Sequence, residues 1–81
     1  MGKVISVLKV YPEENFKPEE LKSNLEKVEG FRNATIEDFA FGMKIIKASF
    51  VCEDSEGKDY EEIVKKVPGV SEVQVEEVGL L

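Results

Sequence analysis

The chain repeats itself at an offset of 39 positions, and this repeat limits what it can fold into more than any single motif does. "KVEGFRNATIEDF" lies over "KVPGVSEVQVEEV": Val28 falls on Val67, Gly30 on Gly69, Phe31 on Val70, Ala34 on Val73, Ile36 on Val75 and Phe39 on Val78. Upstream, Leu21, Leu25 and Val28 fall on Tyr60, Val64 and Val67. In each copy the spacing i, i+4, i+7 marks one face of a helix, and the apolar alternation after it marks a strand. Two copies of one supersecondary unit are the expected outcome.

The remaining elements fit this frame. "KVISVLKVY", Lys3 to Tyr11, is rich in Val and Ile and reads as a buried strand. Its apolar residues fall on both parities, so the pattern leaves its core face open. Pro12 ends it. Pro18 suits the first turn of a helix, where its missing N–H costs nothing. Glu19 and Glu20 then sit near the positive end of the helix dipole, and Gly30 reads as the residue just past the helix end. A second strand is expected from about Asn33 to Phe41, and a third from Met43 to about Glu53. In the third, Ile46, Ala48, Phe50 and Cys52 share one side. The more polar set Ile45, Lys47, Ser49 and Val51 shares the other, as a sheet with one wet face predicts. "EDSEGKD" is a loop; Pro68-Gly69 closes the second helix; a last strand runs from Val70 to about Val78.

The order β-α-β-β-α-β, built from two βαβ-type halves, predicts the ferredoxin-like split βαβ sandwich. This is an α+β fold with a four-stranded antiparallel sheet and two helices on one face, set there by right-handed crossovers. With 81 residues, residues 1–81 are expected to form one domain. Both copies carry a double acid, Glu37-Asp38 and Glu76-Glu77, that breaks the alternation. A bulge, the end of strand pairing, or an edge strand kept soluble by charge would each account for it.

Composition removes whole classes of function. There is no His and only one Cys, Cys52, so neither a zinc site nor an internal disulfide is expected, and a reducing, cytoplasmic setting is. The net charge is −6, with 11 basic residues interleaved among 17 acidic ones, which argues against direct nucleic-acid binding. No apolar run has the roughly 20 residues needed to span a bilayer. The paired carboxylates read as solvated surface, and "EDSEGKDYEE" lacks the spacing of a calcium loop. There is no phosphate-binding glycine motif and no nucleophile with a base. The only Arg, Arg32, is badly placed for an acylphosphatase-type anion loop. A non-enzyme without cofactor or metal is expected.

One feature resists this bland reading. "DFAFGMK", Asp38 to Lys44, puts two phenylalanines in a turn, where polar residues are usual. Phe39, whose repeat partner is Val78, is expected to fold back onto the core. Phe41, beside Gly42 at the tip, is expected to anchor a partner.

"AFGMKIIKASFVCED", Ala40 to Asp54, is similar without gaps to the Gly-Phe-Gly-Ile-Lys-Lys-Leu…Val-Val-Glu-Asp segment in the exchange domain of the elongation factor 1-beta family. "VLKVYP", Val7 to Pro12, resembles that family's first strand. The resemblance covers the whole chain, and the length matches the archaeal form. It implies a guanine nucleotide exchange factor that promotes GDP release from the GTPase elongation factor 1-alpha during protein synthesis, with no nucleotide of its own. It further implies that Phe41 docks on the GTPase, with Gly42 and Lys44 at matching positions, and that the chain end, Leu80 and Leu81, reaches the magnesium and phosphate region. Eukaryotic members carry a penultimate lysine that displaces the ion. Here that position is Leu80, which leaves only a steric wedge. The competing reading is a small ligand-binding regulatory module of ACT type on the same fold. Against it, "YPEENFKPEE" is acidic and has no glycine.

Overall fold

The computed structural model describes residues 2–80. Its elements are β1 (Lys3–Pro12), α1 (Pro18–Leu25), β2 (Phe31–Asp38), β3 (Lys44–Glu53), α2 (Tyr60–Lys65) and β4 (Val70–Leu80), with single 3₁₀ turns at Ala40–Gly42 and Asp54–Glu56. The strands form one antiparallel sheet in the order β2-β3-β1-β4. Leu21 and Leu25 of α1, Tyr60 and Val64 of α2, and Leu8, Val10, Ile46, Ala48 and Phe50 of the sheet belong to one core cluster. Both helices therefore cover the same face, and the fold is the ferredoxin-like split βαβ sandwich.

This settles the face of β1. Ser6, Leu8 and Val10 are buried under the helices, while Ile5, Val7, Lys9 and Tyr11 lie half-buried on the open face. In β3, Ile46, Ala48, Phe50 and Cys52 are buried as their alternation predicted. The opposite side is drier than expected: Ile45 and Ser49 are also buried. There Ser49 lies opposite Asn33 of β2 and donates its hydroxyl to Asn33 Oδ1 at 2.6 Å.

Helix α1 begins at Pro18 with Glu20 returning to accept from the Lys17 N–H at 3.3 Å. It stops at Leu25, so Gly30 is not its terminal residue. Gly30 instead has φ 91° at the entry to β2, and a Cβ there would meet the Tyr60 hydroxyl and the Val51 carbonyl. Its repeat partner Gly69 has φ 95°, and a Cβ there would run into the Phe16 ring. The repeat extends to the backbone. Each glycine precedes a bulge, at Arg32 in β2 and at Ser71 in β4, two positions that again differ by the 39-residue offset.

The double acids resolve differently in the two halves. At Glu76 the β4 register jumps, with Glu77 opposite Val7 and Val75 opposite Leu8. This bulge keeps Val75 and Val78 on the helix-side face. At Asp38, pairing ends, so β2 stops short of the expected Phe41. β4 passes its bulge and continues to Leu80, beyond the expected Val78.

Candidate functional site

The turn between β2 and β3 is built on a closed base. Asp38 and Lys44 are the last opposed pair of the two strands, and their side chains form an ion pair. The hydrogen bond from Lys44 and its charge hold the Asp38 carboxyl below its ordinary range, and the same bond holds the Lys44 ammonium above its own. Above this base, the Phe39 N–H donates to the Met43 carbonyl at 2.7 Å and the Met43 N–H donates to the Ala40 carbonyl at 3.2 Å.

Only a left-handed step completes so tight a loop. Phe41 takes it, at φ 61° and ψ 34°, followed by Gly42 at φ 75°. For Gly42 this conformation is free. For a residue with a Cβ it costs roughly 1–2 kcal/mol. The outcome of that strain is presentation: Phe41 is 99% exposed. Phe39 goes the other way. Its ring packs edge-on against Tyr11, with centroids 5.7 Å apart at 85°, and the Tyr11 hydroxyl donates to Gln74 Oε1. Phe39 thus packs on its own chain, but on the open sheet face, 44% exposed, and not in the core beneath the helices.

A groove of about 470 Å³ lies beside the turn, where the β1–α1 loop faces Gly42, Met43 and Lys44. Pro12, Phe16 and Pro18 supply its loop side. The loop is held by Glu13 N–H donating to the Gly69 carbonyl at 2.8 Å and Phe16 N–H donating to the Glu13 carbonyl. Sequence reasoning missed this groove. Phe16 and Met43 belong to no periodic pattern, and they line one groove only because β1 brings the loop to the level of the turn.

The structure gathers Phe41, Gly42 and Lys44 at one end of the sheet. Lys44 is less available there than a free lysine, because Asp38 shares its charge. Leu80 lies at the other end. It pairs with Val4, whereas Val70, at the level of the turn, pairs with Pro12. Eight residue steps along β1 separate the two levels, roughly 26 Å at about 3.3 Å per step. Leu80 is 74% exposed and Val78 beside it 61%. Leu81 lies outside the described residues.

Residues 5–81 match the family model of the EF-1 guanine nucleotide exchange domain. The chain belongs to that family. It is 40% identical to an elongation factor 1-beta of Methanococcoides burtonii over 86 residues, covering 98% of this chain and 97% of that protein. It is 31% identical to an elongation factor 1-beta of Methanocorpusculum labreanum over 85 residues, covering 100% and 99%. It is 36% identical to one of Aeropyrum pernix over 87 residues, covering 98% and 97%. The EF-1 exchange-domain family places the chain in translation elongation, as a guanine nucleotide exchange factor. Among the described residues, no group of three or more His, Cys, Asp or Glu converges to hold a metal ion, and no helix is long and apolar enough to cross a membrane.

Proposed function

We propose that this protein promotes GDP release from elongation factor 1-alpha, acting in the cytoplasm as a binding factor and not as an enzyme. The observation that carries the reading is Phe41, a bulky apolar ring held fully in solvent by a strained turn. A chain gains no stability from such a ring, so its use lies in a partner's pocket. Leu80 at the far end supplies the second contact. The two are tied together by continuous β-strands, so the spacing between them is fixed before the partner arrives.

Exchange on this scheme needs no catalytic group. The factor binds the nucleotide-free GTPase more tightly than the loaded one, and reciprocity lowers nucleotide affinity by the same factor. Phe41 holds the GTPase, while Leu80 and Leu81 press on the nucleotide region sterically, since neither carries a cation. The family match favours this over the ligand-binding regulatory reading. Stopped-flow release of fluorescent GDP from elongation factor 1-alpha tests it. Release that speeds up and saturates with added factor is expected; an unchanged rate at saturating factor overturns the proposal.

A further inference from the structure

The groove beside Phe41 has an apolar floor that is already formed in the free protein. The Phe16 ring is seated against Gly69, which has no Cβ to hold it off. Pro12 and Pro18 flank it with no side-chain rotamers to lose, and Met43, 54% exposed, forms a pliable lip. The rim is acidic. Glu13 and Glu14 are exposed and make no ion pair among the described residues. Among the described residues that line the groove, the one cation is Lys44, which is engaged by Asp38 and also feels the field of Glu19.

An apolar floor beside two carboxylates, Glu13 and Glu14, that are unpaired among the described residues selects an apolar side chain flanked by positive charge. We propose that this groove receives a segment of the GTPase that presents one large apolar side chain next to Lys or Arg, seated beside Phe41. The inference rests on the exchange reading and adds a second contact at the same end of the sheet. Phe41 is a knob that enters the partner, and the groove is a hole that the partner enters. The acidic rim steers the encounter, while Phe16 and Met43 hold the bound state.

The test measures association with nucleotide-free elongation factor 1-alpha for the wild type, Phe41→Ala, Met43→Ser and Glu13→Lys/Glu14→Lys, at several ionic strengths. All the altered side chains are exposed, so melting temperatures should stay near wild type. Removing half a methionine's burial predicts about fivefold weaker binding for Met43→Ser, seen mainly as faster dissociation. The double reversal should slow association about tenfold at low salt and abolish its fall with added salt. If Phe41→Ala weakens binding while Met43→Ser and the double reversal bind as wild type does, the groove assignment is overturned and the exchange reading stands. A wild type that neither binds nor accelerates release overturns both. Sedimentation covers the remaining occupant: a dimer of the free protein that Met43→Ser dissolves would give the groove to a second copy and overturn the assignment.

Discussion

Replacing Phe41 separates presentation from stability. The side chain is 99% exposed, so truncation to alanine removes almost no buried apolar area, and stability should move by less than about 0.5 kcal/mol. The backbone strain remains in that variant, because alanine at φ 61° meets the same Cβ conflict. Phe41→Gly relieves it, and the glycine protein should be about 1 kcal/mol more stable than the alanine protein. Both lose the ring. If the ring enters a desolvated pocket, each should bind elongation factor 1-alpha at least about 2 kcal/mol more weakly, roughly 30-fold. The two scales thus run independently: Gly exceeds Ala in stability while the two are equally poor in binding. Phe39→Ala is the contrast. It breaks the edge-to-face pair with Tyr11 and should cost about 1–2 kcal/mol of stability, with binding retained once folded. Urea unfolding supplies the stabilities, and the factor concentration that half-saturates GDP release supplies the affinities. The reasoning fails if Phe41→Ala destabilises as much as Phe39→Ala, because the ring would then be packed. It fails equally if Phe41→Gly exchanges at the wild-type rate, because the ring would then have no partner.

Three further predictions follow from the geometry. Gly30→Ala should cost more than about 2 kcal/mol, since the new Cβ meets the Tyr60 hydroxyl and the Val51 carbonyl oxygen at 2.7 Å as well as a positive φ. Gly69→Ala should cost less, because the Phe16 ring is half-exposed and can shift; a thermal melt that ranks the two in reverse order would count against this packing. The Asp38 carboxyl is held below its ordinary value near 3.8, so its support of the turn is complete above that pH and is lost as pH falls through the lower folded value. Asp38→Asn should remove that acid-dependent step from the unfolding midpoint, and a profile identical to wild type below about pH 4 would show that the ion pair contributes nothing. Leu80→Lys should raise the GDP release rate and make it more sensitive to free magnesium, because a cation would then stand at the end of β4, where the proposed contact with the nucleotide region lies; a wild-type rate already as magnesium-sensitive as the variant's rules out the steric account.

What the sequence disclosed follows from how local each feature is. The repeat made the fold legible, because matched spacings at Leu21, Leu25 and Val28 and at Tyr60, Val64 and Val67 report the helix faces without knowledge of distant contacts. The face of β1 was not legible, since Ile5 and Val7 are as apolar as Leu8 and Val10, and only the placement of the helices separates them. The role of Gly30 was misread for a similar reason: the Tyr60 hydroxyl that requires it comes from the other half of the chain. The groove is non-local throughout. The site residues themselves lie where the repeat ends. Carried through the double acids, the offset of 39 lays Phe41 on Leu80, an aromatic on an aliphatic with both exposed. The two halves of the sheet run in opposite directions, so duplication alone sends these equivalent residues to opposite ends. Up to Glu37 and Glu76 the halves share their glycine and their first bulge. Beyond that point one half ends its pairing and turns, and the other bulges and runs on. The symmetric part of the chain builds the sandwich, and the point at which the symmetry breaks yields two unlike apolar tips at opposite ends of a sheet whose paired levels span about 26 Å, with a separation that the strands between them hold fixed.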